Sequence, residues 1–384
     1  MSLFRRVQTR ASGTQPIPAP GARPLTGSVR VTTDTAMRHS AVWACLRLRA
    51  DLISTMPIDV FRKVNGVRVA VPTPPVLRSP GGDRVDIQEW LYSTQVDLDR
   101  AGNCFGVITE RNALGLPARI DLVQLGEVGV TSTDGEITYR IGGEIYRPED
   151  VWHEKQYTVA GLVIGLSPIA YAAWSIGSYL SAQDFAIGWF GNSAIPAAEL
   201  INTEKTITSR DASVAKTNYE ASVRSGGLFV HGKDWELKPM QAVDSQTRFL
   251  EMMQYGIPDI SRFFGCPADL IDGAVSGQAV TYANISQRNL QLLIMNLGAP
   301  VMRRESALSK LTQNPRYVKL NRSALLAMDP ETRARTIKLR IESKTLTNTE
   351  ARGLDDLAPL TDAEIAEFER LYGAPRMTPT EAKA

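Results

Sequence analysis

From Gln156 to Gln183 no residue carries a charge. A run of that length leaves water either across a bilayer, which takes about 20 consecutive apolar residues, or into a packed protein interior. Three features select the interior. Pro168 falls inside the run, Gly, Ser, Tyr and Gln dilute it, and Asp184 interrupts its continuation. Serine is a preferred N-cap and proline is tolerated at the first helical position, so a helix is expected from Pro168 with Ser167 as its cap. Running to Phe190, it would be about 34 Å long. Ala170, Ala172, Ala173, Ser175, Gly177, Ser178, Ser181 and Ala182 spread small side chains over most of its faces. Such a helix suits close packing among other helices, as in an oligomer, and no membrane association is expected.

Upstream, Val42, Cys45, Leu46, Leu48, Leu52 and Ile53 recur at helical spacing between Ser40 and Met56, and Pro57 stops that helix. IDVFRK alternates as a strand, and Asp86 to Asp99 reads as a second helix. After Gly102 come short strands, CFGVITE, ARIDLVQL, VGVTS, ITYRIGG and EIYRPEDVWHEKQY, punctuated by turn residues. Together these predict an α+β domain with an antiparallel, meander-like sheet. Before it, Arg5, Arg6, Arg10, Arg23 and Arg30 precede the first acid, Asp34, among Pro, Gly, Ser and Thr. This basic arm lacks a signal peptide's apolar core and is expected to have no fixed structure.

Downstream, residues 194–242 read as a compact insertion. It holds a polar helix, TSRDASVAKTNYEASVRSG, and a small hairpin, LFVHGKDWELKPM, turning at His231-Gly232-Lys233. Asp244 to Phe264 returns to helical periodicity, with Pro258 expected to kink it. GCPADLIDGAVSGQ is a glycine-rich loop. A long helix follows from Ala279 to Leu311, interrupted at Gly298-Ala299-Pro300, then the strand RYVKLN. Asp329-Pro330-Glu331 opens another helix, TNTEARGLDDLAPL holds a short one capped at Thr347 or Asn348, and the polar tail is expected to be loose.

The search for chemistry is mostly negative. There is no GxxxxGK[ST], no GxGxxG after a strand, no GxSxG and no HExxH. Cys45, Cys104 and Cys266 are odd in number and widely spaced, which argues against a disulfide framework or zinc site. No cofactor is expected. The one hydrolytic arrangement worth weighing is His153 with Glu154 or Asp150, and a structural histidine at a strand end is the preferred reading. Lys and Arg number 43 against 41 Asp and Glu, so the net charge is near zero, unlike domains that grip nucleic acid.

Several local signatures occur in a telling order: AVWACLRLRADLISTMPIDVFRK; DLDRAGNCFGVITER with Gly102-Asn103 before a strand; PEDVWHEKQYTVAGLVIGLSPIAYA with His153 and Gly165 to Ile169; FLEMMQYGIPDISRFFGCPADLIDG followed by TYANISQ; and LTNTEARGLDDLAPL. The chain thereby resembles the portal proteins of long-tailed, double-stranded-DNA phages over most of residues 40–360. It departs from that family's pattern at Ser193, at Ala268 in place of a proline and at Ser286 in place of a glutamate.

The resemblance implies a portal fold of α+β class, divided as follows. Residues 1–33 are the basic arm, 34–166 a wing, 167–193 a first stem helix, 194–242 a clip and 243–265 a second stem helix. Residues 266–280 form a tunnel loop, 281–328 a long helix and strand returning to the wing, and 329–384 the crown and tail. Ile169, Ala173, Ile176, Leu180, Phe249, Met253 and Ile260 would line the stem's subunit interface, and Ala173→Arg would block ring assembly while leaving the wing folded. Lys205, Arg210, Lys216, Arg224 and Lys233 would face partners from the clip. Asp272, Gly273, Val275, Ser276, Gly277 and Gln278 would face DNA. Implied partners are further copies in a dodecameric ring at a capsid vertex, the terminase large subunit, a head–tail adaptor, capsid and scaffold proteins, and DNA held without sequence preference. The ring would be a virion component assembled in the host cytoplasm, and not an enzyme. A smaller head–tail connector ring is the nearest alternative, and the length and helix–insertion–helix core argue against it.

Overall fold

The computed structural model describes residues 13–16, 30–133, 135–191, 198–203, 206–224, 234–239, 256–271, 288, 290–322, 330–355 and 357–373. The chain divides into two compact units, Met1–Asn321 and Arg322–Ala384. In the first, β1 (Gly13–Pro16), α1 (Thr33–Ala36), α2 (Ser40–Ser54), β2 (Ile58–Val64), β3 (Val67–Val71) and α3 (Ile87–Ala101) come first. Then follow β4 (Asn103–Arg111), β5 (Pro117–Leu122), β6 (Val128–Thr133), β7 (Glu136–Ile141), β8 (Glu144–Tyr146) and β9 (Val151–Lys155). After α4 (Pro168–Gly191) come β10 (Ala198–Asn202), α5 (Ser209–Arg224), β11 (Trp235–Pro239), α6 (256–264), α7 (Gly298–Ser309) and β12 (Arg316–Leu320). The sheets run β12-β2-β3, β5-β4-β9, β1-β6-β7-β8 and β10-β11, and every pairing among the described residues is antiparallel. The mixed α+β class is the one expected.

The differences from expectation have local causes. EIYRPEDVWHEKQY is not one strand: Pro148 cannot donate to a ladder, a 3₁₀ turn forms over Pro148–Asp150, and β8 and β9 join different sheets. Residues 13–16 of the basic arm pair with β6. β11 pairs with β10; its expected hairpin partner at 227–230 and the turn at 231–233 lie outside the described residues. The long helix changes register in a π-helical turn, Leu292–Asn296, so Gly298-Ala299-Pro300 opens α7 instead of ending its predecessor. RYVKLN forms β12, which pairs with β2 from the far end of the chain.

Helix ends follow the caps. Ser167 Oγ accepts from Ala170 N–H at 3.1 Å and donates to Arg100 O at 2.7 Å, so the cap of α4 also ties it to the end of α3. His39 caps α2 by accepting from Ala41 N–H through Nδ1 at 3.2 Å, and its buried ring stacks on Tyr179 of α4 at 3.8 Å. One core joins α2 (Val42, Cys45, Leu46), α4 (Ile169, Ala173, Ile176, Leu180) and α6 (Ile260, Phe264). A second lies under the sheets, around Phe105, Val130, Tyr139 and Ile141. Among the described residues no helix is long and apolar enough to cross a membrane.

In the second unit, α8 (Pro330–Glu342), α9 (Asn348–Leu354) and α10 (Asp362–Tyr372) carry their own start signals. Thr347 with Glu350 and Thr361 with Glu364 form capping boxes. The latter opens a helix inside the segment expected to be loose; its TDAE signature was readable. Arg333 joins α8 to α9 through Asp355 at 2.7 Å. Ala351 is the unit's one buried apolar side chain among the described residues.

Two arginines are buried where their helices present apolar faces. Arg49 Nε and Nη2 donate to both carboxylate oxygens of Asp99 on α3, at 2.9 and 3.0 Å, and Nη1 donates to Phe264 O at the end of α6 at 3.1 Å. Gln95 Nε2 donates to the same carboxylate at 2.9 Å. Burial opposes the Arg49 charge, yet Asp99 beside it holds the guanidinium above its ordinary range. On α7, Arg304 bridges Glu154 of β9 at 2.7 Å and Thr94 of α3 at 2.6 Å. Burial pushes the Glu154 carboxyl up against the opposing pull of Arg304.

Removing one partner of such a pair strands the other charge in a dry interior. Arg49→Ala should therefore cost about 3–5 kcal/mol in urea unfolding, whereas Arg49→Met with Asp99→Leu should recover most of that loss. Equal losses in the two variants would show that packing, not the stranded charge, sets the cost.

Candidate functional site

The most constrained constellation in the chain lies where α3, β4, β9 and the start of α4 converge. Helix α3 ends at Gly102, whose φ of 71° is left-handed and whose hydrogen would, if replaced by a Cβ, meet the Leu166 carbonyl. Asn103 follows, fully buried. Its Nδ2 donates to Ala101 O at 2.8 Å and Gly165 O at 3.0 Å, while its Oδ1 accepts from Gly165 N–H at 2.7 Å. One amide side chain thus pairs with both polar groups of Gly165, as a neighbouring strand would. A Cβ on Gly165 would collide with the carbonyls of Gln156 and Gly102, so only glycine admits this approach.

His153 completes the cluster. Its Nε2 lies 3.1 Å from Asn103 Oδ1 and its Nδ1 3.0 Å from the Tyr139 hydroxyl. Asn103 Oδ1 is an acceptor here, so Nε2 carries the proton and donates, and Nδ1 accepts from Tyr139. The ring stacks on Phe105 at 4.3 Å. Burial, with Lys155 adding to it, pushes the imidazole down to about 3. Both ring nitrogens are engaged with neutral partners. Glu154 points to the opposite face of β9 and pairs with Arg304, while Asp150 lies beside Arg111 at 3.3 Å. The structure does not bring His153, Glu154 and Asp150 together as a hydrolytic group. Among the described residues no group of His, Cys, Asp and Glu is placed to hold a metal ion.

Gly102-Asn103, His153 and Gly165–Ser167, which stand far apart along the chain, therefore meet in space. Residues 40–356 match the family described as phage portal protein. The chain belongs to the phage portal protein family. It is 28% identical over 360 residues to a probable portal protein of Streptomyces phage phiC31, covering 86% of this chain and 77% of that one. Its fold is similar to that of an HK97-family phage portal protein from Corynebacterium diphtheriae: TM-score 0.62, 17% identity, 79% of this chain and 100% of that chain covered. It is also similar to a chain in the neck of a native gene transfer agent particle computed with C12 symmetry: TM-score 0.55, 18% identity, 85% and 94% covered.

The residues singled out for a portal's surfaces fall into three groups. Ile169, Ala173, Ile176, Leu180 and Ile260 are buried within the chain's own core, against α2 and one another. Their expected exposure to a neighbouring subunit is corrected: the helical stripe they form is taken by α2 and α6. Ala173 is only 3% exposed, so an arginine there would break the monomer's core rather than test a ring contact. The outward stripe of α4 instead carries Tyr171, Trp174 and Ser178, with Trp174 72% exposed. Arg210 and Lys216 project from α5, which buries none of its described side chains; Lys216 lies 3.9 Å from Glu220. Arg224 ends that helix. Lys205, Lys233, Phe249, Met253 and Asp272, Gly273, Val275, Ser276, Gly277 and Gln278 lie outside the described residues.

Sequence reasoning overlooked Asn103, Arg49 and Arg304 as organisers. Arg49 had a signal: it follows Cys45 by four residues and Leu46 by three, which places it on the buried stripe of α2.

The buried histidines make stability depend on pH. His153 is held down to about 3 and His39 to about 4, both by burial, while the unfolded chain regains about 6.5. Between those values the unfolded chain binds more protons, so stability is fully present above about pH 6.5 and falls as the pH drops, by up to about 1.4 kcal/mol per unit per histidine. Asp97, held up to about 6 by burial, contributes the opposite slope over the same window, so the histidine contribution is read as a difference: between pH 7 and pH 5 the urea midpoint of His153→Gln should fall less, or rise more, than that of wild type.

Proposed function

We propose that this chain is a structural subunit of a closed ring of about a dozen copies, in which one heterologous interface repeats by rotation until it closes. The ring sits at one vertex of a phage capsid, and double-stranded DNA passes through it during packaging and ejection. The observation that carries the reading is the portal-family match over residues 40–356, together with a fold similar to a chain in a gene transfer agent neck computed with C12 symmetry. Charge supports it. A channel must not retain its cargo, and each phosphate neutralised by a fixed cation adds salt-sensitive affinity. A subunit with 43 Lys and Arg against 41 Asp and Glu avoids that retention.

In this reading residues 34–166 form the wing and α4 with 243–265 the stem. The insertion 194–242 is the clip, where the terminase large subunit and later the head–tail adaptor dock. The tunnel loop is 266–280, the long helix and returning strand 281–328, and the crown 329–384. Capsid and scaffold proteins contact the ring in the virion and during its assembly in the host cytoplasm. The subunit needs no cofactor and performs no catalysis; His153 organises the fold. Helix α5 has no buried side chain among those described, which suits a surface completed by a partner.

Solution mass with negative-stain images of the purified chain tests this directly: rings with a central hole are expected, and a monomer that stays single with scaffold protein present overturns it. Trp174→Asp should prevent ring closure while the far-ultraviolet spectrum and unfolding midpoint stay near wild type, because its side chain is exposed in the single chain. A second variant set, Arg210→Glu with Lys216→Glu, should leave rings intact and abolish DNA packaging. Packaging at the wild-type level would remove α5 from the motor-facing surface.

A further inference from the structure

Cys45 and Cys266 stand 221 residues apart along the chain and meet in the core. Cys45 lies on the buried stripe of α2, and Cys266 follows α6 by two residues. Both are buried, in one cluster with Val42, Leu46, Ile260 and Phe264. The Cys266 sulfur lies 3.8 Å from the Cys45 carbonyl oxygen, and the two thiols are hydrogen-bond neighbours. Wide spacing along the chain argues against a framework of several bridges, and it is silent on a single pair that the fold brings together.

Both backbones are held in place. Arg49, one turn after Cys45, donates through Nη1 to Phe264 O at 3.1 Å and so keeps the end of α6 against α2. Gly265 ends α6 with a left-handed φ of 62°, and the Cys266 N–H donates back to Ser261 O at 3.0 Å. Asn296 Nδ2 donates to Gly265 O at 2.7 Å. Bringing two distant cysteines together is the entropic obstacle to joining them, and folding has already overcome it here. The pair is also polarised. As a thiolate, Cys266 accepts the Cys45 S–H, which draws Cys266 below the ordinary thiol range, and Arg49 adds to that pull against burial. The same hydrogen bond, together with burial, holds Cys45 above that range. Cys104 is equally buried, sits beside Glu154 and Arg304 instead of a thiol, and is pushed well above the ordinary range by burial.

We propose that Cys45 and Cys266 are an oxidisable pair, which a small disulfide of the glutathione type converts into an intramolecular disulfide that bolts the end of α6 to α2. The Cys266 thiolate attacks the small disulfide, forming a mixed disulfide and releasing one small thiolate. That thiolate takes the proton of Cys45. Cys45 then attacks the Cys266 sulfur, the mixed disulfide breaks, and the second small thiolate leaves and takes up the proton that Cys266 gave to solvent. Two protein thiols are thereby oxidised, and one small disulfide is reduced to two small thiols. A reducing compartment keeps the pair as the free thiols of this structure, and an oxidising one closes it. The cross-link fixes the residue from which the chain leaves α6, whatever the chain's role in a ring.

The test uses the full-length protein, fully reduced and then incubated with excess oxidised glutathione at neutral pH without denaturant. Intact mass should show the loss of two hydrogens, and peptide mapping should give one linked peptide, Cys45 to Cys266, with Cys104 free. Cys45→Ala should instead gain one glutathione, at Cys266, and lose no hydrogens. Hydrogen exchange at the Phe264 to Cys266 amides should slow about tenfold on oxidation of wild type, because local opening now has to carry α2 with it. It should not slow in oxidised Cys45→Ala. Should that variant fail to fold, peptide mapping and exchange on wild type decide the matter alone. The proposal is overturned if native wild type keeps three free thiols under conditions that cross-link the urea-unfolded chain. It is equally overturned by a bridge that includes Cys104, or by a glutathione that persists on Cys266 of wild type, which would place Cys45 out of reach. Loss of the native far-ultraviolet spectrum on oxidation also sinks it, by showing that the bridge forms only once the fold has opened.

Discussion

At Asn103 a side chain takes the place of a strand. The segment from Gln156 to Ser167 has to leave β9, turn back and enter α4, and its backbone groups at Gly165 are buried on the way. A buried N–H or C=O without a partner costs about 1–3 kcal/mol, so the turn is viable only if something supplies both a donor and an acceptor at one point. The Asn103 amide supplies both, the absence of a Cβ at Gly102 and Gly165 lets the chains approach, and His153 satisfies the remaining lone pair of Oδ1. Ser167 then closes the junction by capping α4 and bonding to Arg100 O. The direction in which α4 leaves the sheets is set here.

The buried ion pairs extend that framework along the other contacts of α3. Arg49 ties α2 and the end of α6 to Asp99, and Arg304 ties α7 to Thr94 and to Glu154. Such pairs contribute little net stability compared with well-packed apolar residues. They do penalise alternative packings heavily, since any slip of one helix past another leaves a charge unsolvated.

Helix α4 shows why a charge-free run does not by itself say what it packs against. Its small and branched residues form one stripe, and that stripe is filled by α2 and α6 of the same chain. The other stripe, with Tyr171, Trp174 and Ser178, is left to solvent in the single chain. Both stripes are uncharged, so charge could not distinguish an internal face from an external one.

Much of the local structure is legible in the amino-acid sequence alone. Helical periodicity from Ser40, the Ser167-Pro168 start, the strand alternation of β2 and the turn residues that bound β4 and β6 all depend on neighbours within a few residues, which is the range over which caps, turns and side-chain periods act. The α+β class and the family resemblance follow from the order of those local signals. Tertiary structure decided what is nonlocal. It brought Gly102-Asn103, His153 and Gly165 to one point, and it turned Arg49 and Arg304 from helix-surface charges into buried organisers. It also split β8 from β9 into separate sheets and paired β12 with β2 across most of the chain. Those outcomes depend on which buried polar group meets which partner, and a hydrogen bond or ion pair between residues distant along the chain leaves no period in the sequence to read.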